Sequence, residues 1–271
     1  MFTYSQINGV QYVEYSRLIE CNGIIHAFCT RWGGVSKGRF ANLNFSVNEG
    51  DTQRNVAENW NILSNAFNIP EDHFFTVNQI HGDRILIIDD TVPDSHDPGY
   101  DGIITNKPGI AIGIKTADCV PIFLVDRVKH IIGTIHAGWK GTSLNIAGKA
   151  LRILVNKFAS KPEDIIVTIG PSIGPCCYEV DETVWTAMEK DPDRDFFFKE
   201  SRKAERWMLD LPKANQRQIL RAGISPENVT SAGICTSCHR DTFFSHRGEG
   251  GQTGRQLNFI MLQQKSLGGT E

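Results

Sequence analysis

The 271-residue chain predicts an α+β fold. Three apolar stripes run at helical spacing, and a crowd of short β-rich runs is joined by connections too short for crossover helices. Strands and helices do not alternate regularly, so part of the sheet is expected to be antiparallel. The length allows one or two domains. No repeat, low-complexity tract or Pro/Gly/Ser-rich linker divides the chain, and one domain over 1–271 is expected.

The first helix follows from Val56, Trp60, Leu63 and Phe67, with Asp51 or Thr52 as N-cap and Pro70 closing the segment. Runs at 83–89, 110–115, 120–125, 130–135 and 165–170 read as strands, four of them crowded between 83 and 135. Leu144, Ala147, Leu151, Leu154 and Phe158 give the second helix, capped by Thr142 or Ser143 and stopped before Pro162. A weaker helix occupies 181–190. The last runs from about Asp210, with Pro212 in its first turn, to Gly223, where a glycine followed by Ile224 suits a C-terminal cap.

Composition narrows the function classes. Lys and Arg number 28 against 31 Asp and Glu, a net charge of -3, so there is no broad basic field for gripping nucleic acid. No apolar run reaches the roughly 18 residues of a membrane span. The segment MFTYSQINGVQYVEY has neither the charged nor the apolar region of an export signal. The seven cysteines are therefore read as reduced thiols, metal ligands or catalytic groups in a cytoplasmic protein.

The most informative stretch is 116–142, TADCVPIFLVDRVKHIIGTIHAGWKGT. Two apolar runs flank VDRVK, which suits a hairpin turn. Centring the turn between Arg127 and Val128 sets Cys119 directly opposite His136, with Cβ atoms about 4.5–5.5 Å apart. A thiolate and an imidazole so placed can share one metal ion or act as nucleophile and base; a core cysteine beside an ordinary strand-end histidine is the plain alternative. The glycines of HAGWKG make a strand-to-helix turn whose free N–H groups suit an anion. His81, in NQIHGD, is a weak signal alone. With Cys119 and His136 it would complete a zinc site with an open fourth position.

Other segments are less decisive. CTSCHR (235–240) has the C-x-x-C-H spacing of haem attachment, but without an export signal it reads as cysteines packed in a turn. A structural zinc there would need ligands that the spacing does not supply. Adjacent Cys176 and Cys177 are poorly placed to bridge each other. SHRGEGGQTGR (245–255) sets Arg247 and Arg255 around a glycine-rich loop that is not a Walker A loop, and TRWGGVSKG (30–38) repeats that mix with Arg31. Arginine forks suit phosphate or carboxylate; a surface loop with incidental arginines is the alternative.

Together HAFCTRWGGVS (26–36), NQIHGD (78–83), DGIIT (101–105), TADCVPI (116–122), HAGWKGT (136–142), IGPSIGPCCYEV (169–180) and FFSHRGEGGQTGR (243–255) resemble the YfiH/YlmD family, whose members were once labelled laccase-domain or polyphenol oxidase proteins. The resemblance covers about residues 20 to 260. It implies an α/β sandwich grouped with cytotoxic-factor-type Cys–His hydrolases, and a single purine nucleoside phosphorylase domain. The implied reactions are phosphorolysis of adenosine, inosine and S-methyl-5′-thioadenosine and deamination of adenosine. The implied metal ligands are His81, Cys119 and His136, and the implied metal is zinc. No ligand role transfers to Cys235 or Cys238.

Zinc so held lowers the pKa of bound water toward neutrality, chemistry suited to C6 of adenosine. Asp118 is the nearest carboxylate in sequence for shuttling protons, although in a regular strand it would face away from Cys119. Arg31, Arg247 and Arg255 are the candidates for phosphate or ribose hydroxyls. The expected partners are small purine nucleosides and phosphate, with no nucleic acid and no membrane, in a monomer or homodimer. Two alternatives stand beside this reading. One is a metal-free hydrolase or deamidase with Cys119 as nucleophile and His136 as base. The other is copper-dependent phenol oxidation, which two histidines and a cysteine allow by ligand type but which eight histidines and four methionines supply poorly.

Overall fold

The computed structural model describes residues 1–21, 23–89 and 99–264. Its strands are β1 (Phe2–Ile7), β2 (Val10–Tyr15), β3 (Ile24–Cys29), β4 (Phe74–Thr76), β5 (Ile85–Ile88), β6 (Gly102–Thr105), β7 (Ala111–Thr116), β8 (Val120–Asp126), β9 (Ile131–Ala137), β10 (Ile165–Ile169), β11 (Glu179–Val180), β12 (Phe198–Glu200), β13 (Trp207–Leu209), β14 (Val229–Ser231) and β15 (Gln256–Leu262). Its helices are α1 (Ser16–Ile19), α2 (Gln53–Phe67), α3 (Trp139–Ser143), α4 (Ile146–Phe158), α5 (Glu182–Ala187), α6 (Arg194–Phe197) and α7 (Leu211–Arg221).

One six-stranded sheet runs β1-β2-β3-β15-β7-β4, the other β14-β10-β8-β9-β6-β5, and β11-β13-β12 form a small third. Strand alternation sorts the side chains into layers. Phe123 and Val125 of β8 point between the two large sheets, where they join Phe28, Ile112 and Ile260. Ile122 and Leu124 point the other way, into a core shared with Leu151 and Leu154 of α4 and Ala214 and Ile219 of α7. Across the first sheet, Leu257 and Phe259 of β15 pack with Leu63 and Ala66 of α2. The result is a four-layer α/β/β/α sandwich with mixed sheets. It explains why VPIFLV is apolar throughout: a strand covered on both faces has no solvent side to leave polar, and every residue of β8 is buried.

The helices start and stop for the reasons their sequences give. The Thr52 hydroxyl accepts from Asn55 N at 3.1 Å to open α2, and Asn68 closes it in the left-handed region. Asp210 accepts from Lys213 N at 3.0 Å to open α7. The second helix differs from expectation. The chain after His136 first forms the separate five-residue α3, breaks at Leu144, and starts α4 from Asn145, whose side chain accepts from Gly148 N. Leu144, counted in the apolar stripe, lies in that break and is 48% exposed. Hydrophobic periodicity does not reveal β1 and β2. Their signal is Asn8-Gly9, a two-residue turn with both residues at positive φ, as a type I′ hairpin requires.

The β8–β9 hairpin has a different register from the expected one. Its loop is the four residues 127–130, so Pro121, not Cys119, pairs with His136. The Asp126 carboxylate accepts from Val128 N and Lys129 N at 2.9 and 2.8 Å, and His130 takes a left-handed φ of 53°. These features move the turn centre one residue on. The pairing shifts by two positions, which preserves the face, so Cys119 and His136 still approach each other diagonally.

Strand direction gathers the site. β9 is antiparallel to both β6 and β8, β10 is antiparallel to β8, and β5–β6 and β10–β14 are parallel. One end of this sheet therefore collects the residues entering β5, β6 and β8 and those leaving β9, β10 and β14. His81, Asp101, Cys119 and His136 all lie on those segments.

Candidate metal centre

His81, Cys119 and His136 offer one ligand atom each within 4.8 Å of one another. Asp101 organises them. His136 Nδ1–H donates to Asp101 Oδ1 at 2.8 Å, which leaves Nε2 as the atom free to bind. The same carboxylate accepts from His81 N at 2.9 Å and Gly82 N at 2.6 Å. It thereby holds His81 in a left-handed conformation, φ 58°, that non-glycine residues seldom adopt. Gln79 fixes the loop from the other side: its amide exchanges two 2.8 Å hydrogen bonds with the main chain of Lys115.

Burial would raise the Cys119 thiol, but His136 and then His81 outweigh it and hold the group below its usual range. Burial would likewise lower His136, yet Cys119 and Asp101 push it up. Asp101, despite burial, is held low by His136 and by the N–H groups of Gly82 and His81. A buried carboxylate behind a histidine is the arrangement that orients metal-ligating imidazoles and fixes their tautomer.

The glycines of HAGWKG clear space. A Cβ on Gly138 would sit 3.1 Å from Cys119 Sγ and 3.2 Å from His81 Cδ2. A Cβ on Gly141 would sit 2.7 Å from the Gly82 carbonyl, so α3 can lie against the His81 loop only with glycine there. Gly138→Ala is expected to leave the fold intact and weaken metal retention roughly tenfold, as moving a ligand's support does. Competition with a chromogenic chelator measures it; unchanged retention would mean the three side chains are not held in one metal geometry.

Above these residues opens a cleft of ≈ 560 Å³ lined by Trp139, Tyr178, Lys115, Arg247 and Arg255 among others. Residues 25–263 match the family described as multi-copper polyphenol oxidoreductase laccase. The chain is 36% identical over 247 residues to purine nucleoside phosphorylase YlmD of Geobacillus stearothermophilus, covering 88% of this chain and 90% of that one. It is 36% identical over 261 residues to a purine nucleoside phosphorylase of Bacteroides thetaiotaomicron, covering 92% and 96%. The crystal structure of Bacillus licheniformis YfiH superposes with a TM-score of 0.87 at 32% identity, covering 96% of this chain and 99% of that one. The chain belongs to the YfiH/YlmD family.

In this YfiH/YlmD member the expected site residues divide into two groups. Arg247 and Arg255 line the cleft. The Arg247 guanidinium lies over the Tyr178 ring, 5.2 Å from its centroid, and Arg255 pairs with Glu49 at 2.8 Å. Arg31 is not among the lining residues. Its guanidinium is spent on the Ala41 and Arg240 carbonyls and on Glu249, so it ties loops together. Asp118 also departs from a strand, at φ 85°, which brings it and Cys119 to the same cleft. Its carboxylate accepts from Thr236 Oγ1, Ser245 Oγ and Arg247 N at 2.6, 2.7 and 2.6 Å. That makes it an anchor for the 236–247 loop. The five-residue α3 is too short to present much of a dipole, and the cations near the centre are side chains instead.

Sequence reading does not single out Asp101, Lys115 or Glu49. Asp101 stands in the quoted DGIIT motif, which is the one signal it gives. Lys115 is the one charged residue of β7; burial lowers its pKa, opposed by Glu49. Glu49 lines the cleft, and its second carboxylate oxygen is buried without a hydrogen-bond partner among the described residues. No helix among the described residues is long and apolar enough to cross a membrane.

Proposed function

We propose that the protein is a zinc-dependent purine nucleoside phosphorylase that converts adenosine, inosine and S-methyl-5′-thioadenosine to free base and (methylthio)ribose 1-phosphate, and that it also deaminates adenosine. The observation that carries this reading is the Asp101-backed set of two imidazoles and one thiolate at the floor of a cleft rimmed by Lys115, Arg247 and Arg255. The donor set suits zinc with a position left open, and the space that Gly138 keeps clear fits an ion there. When bound, zinc supplies Lewis acidity to a substrate oxygen or water.

The chain's own residues do the rest. Lys115, Arg247 and Arg255 bind hydrogen phosphate and hold its oxygen against C1′ of the ribose, where the new C–O bond forms as the bond to the purine nitrogen breaks and the proton given up by phosphate ends on the departing base. Glu49, through its unpaired oxygen, takes a ribose hydroxyl. Tyr178 and Trp139 supply aromatic surface for the purine. Asp118 acts through the Arg247 loop, with no role in moving protons. Relatives named purine nucleoside phosphorylase support the substrate class. The soluble pool of nucleosides and phosphate provides the partners, and a monomer or homodimer in the cytoplasm suffices.

The test is mass spectrometry of the products from adenosine with and without phosphate. Adenine and ribose 1-phosphate that depend on phosphate establish the phosphorylase; inosine without phosphate establishes the deaminase. Cys119→Ala is expected to fold, lose zinc and lose at least 100-fold in activity, since one of three ligands is gone. Substantial activity in a folded, metal-free variant would sink the zinc reading. One observation favours a second reading: Cys119, His136 and Asp101 also stand in the order of a nucleophile, base and orienting acid. Alkylation of Cys119 that zinc blocks and chelation restores would argue against that hydrolase. Copper oxidation is weaker still, since among the described residues only one cluster of potential ligands contains histidine.

A further inference from the structure

The structure brings Cys176, Cys177, Cys235 and Cys238 together, with all four sulfurs within 4.8 Å of one another. Cys176 Sγ and Cys177 Sγ lie 3.4 and 3.5 Å from Cys238 Sγ. We propose that these four cysteines form a second metal site, a tetrathiolate for one zinc ion, whose task is to lock the loops that carry one wall of the cleft.

The topology explains how residues about sixty positions apart converge. β10 and β14 are parallel neighbours, so the loops leaving them emerge side by side, and the pairing is extended by a parallel bridge between Ser172 and Cys235. Adjacent side chains on a strand point to opposite faces. At Cys176-Cys177 the chain is instead a tight turn, with Cys177 N and Tyr178 N both donating to the Gly174 carbonyl at 3.1 Å. In such a turn successive side chains diverge by only about 100°, so both thiols reach one point. Cys235 and Cys238 are three apart in a second turn, closed by His239 N donating to the Cys235 carbonyl at 3.1 Å, and share a face as i and i+3 do.

The spacing suits a single ion. Zinc–sulfur bonds of about 2.3 Å in a tetrahedron put the sulfurs roughly 3.8 Å apart. An iron–sulfur cluster distributes its thiolates over separate irons and needs a wider frame. All four are free thiols, and Cys238 Sγ stands 3.4 and 3.5 Å from its neighbours, well beyond the roughly 2.05 Å of a disulfide bond. Cys235 is buried and accepts from Gly174 N at 3.2 Å, the main-chain donation that a ligating thiolate uses. His239, next in sequence, is not among the converging ligand atoms; its Nδ1 bonds the Cys235 carbonyl at 2.9 Å. Cys176 and Cys238 are exposed, which gives an ion a way in. None of the four lines the cleft described above.

The consequence for the cleft runs through two short links. Tyr178, beside Cys177, and Arg247 stack on the cleft wall. Thr236, beside Cys235, donates to Asp118 at 2.6 Å. An ion at the four cysteines would fix both links at once.

The whole chain, purified under reducing conditions and reloaded with zinc after chelation, is the sample for metal counting. Two zinc ions per chain are expected, falling to one in Cys176→Ser/Cys238→Ser and separately to one in Cys119→Ala. The paired readout separates this proposal from the nucleoside reading, since each variant empties a different site. If the double variant does not fold, cobalt loading of the unaltered chain serves instead. Its tetrathiolate is expected to add an intense sulfur-to-cobalt charge-transfer band on top of the weaker one from a single thiolate. One zinc per chain in both the unaltered protein and the double variant would overturn the proposal. So would a second equivalent that is iron, or a disulfide among the four cysteines in the zinc-loaded protein.

Discussion

Asp101→Ala is expected to cost about 3 kcal/mol of stability, at roughly 1 kcal/mol for each of three hydrogen-bond donors left without an acceptor, and to weaken zinc binding by about 10–100-fold. The donors are His81 N, Gly82 N and His136 Nδ1, all bonded to one fully buried carboxylate. Both effects share a cause. Without the carboxylate the left-handed turn at His81 has nothing to hold it, and the His136 ring is free to change tautomer, so both imidazole ligands lose their aim. Asp101→Asn should fall between, since one amide oxygen must serve three donors. Denaturant titration and chelator competition on the same preparations measure the two effects. Zinc retention that survives in Asp101→Ala would show that the carboxylate supports the loop without orienting ligands.

The second large effect is acid destabilisation through His26. This side chain is 3% exposed between the two large sheets. Its Nε2 accepts from Tyr15 N at 2.9 Å, and its ring stands edge-on to Phe123. Burial lowers its pKa to about 4, so the folded protein keeps it neutral while the unfolded chain, near 6.5, takes up a proton. Between those values the unfolded state binds more protons, and stability rises with pH. The contribution is complete above pH 6.5 and disappears as pH falls toward 4, a loss of about 3 kcal/mol at 1.36 kcal/mol per unit. His26→Gln offers an acceptor for Tyr15 N without titrating. Its unfolding free energy should therefore be flatter between pH 6.5 and 4 than that of the unaltered protein. Parallel curves for the two would mean that His26 is not held neutral.

What could be read from the sequence was mostly local. Thr52, Asp181 and Asp210 mark helix starts because a cap bonds residues two or three positions away. The shared face of Cys119 and His136 was legible because parity survives a two-position error in register; the direct pairing was not, because the Asp126 turn and the left-handed His130 decide it. Asp101 reaches His81 and His136 across 20 and 35 residues, through the β5–β6–β9 pairing that no spacing rule encodes. The four cysteines failed for the same reason. Spacing around Cys235 and Cys238 supplies no further ligands, and only the parallel alignment of β10 and β14 brings Cys176 and Cys177 to them. Arg31 illustrates the converse: its neighbours in sequence suggest an anion loop, but the fold leaves it out of the cleft lining that Arg255, likewise bonded to carbonyls and a glutamate, belongs to.

β15 has a consequence for how the protein is made. It is the last described strand, yet it lies in the interior of its sheet, between β3 and β7, with antiparallel partners on both sides. During synthesis from the amino terminus, β3 and β7 are both present long before Gln256 emerges, each with an unpaired edge. Such edges attract foreign strands. A nascent chain halted before Gln256 thus carries two open edges facing one gap, and its native pairing waits until β15 itself has been made.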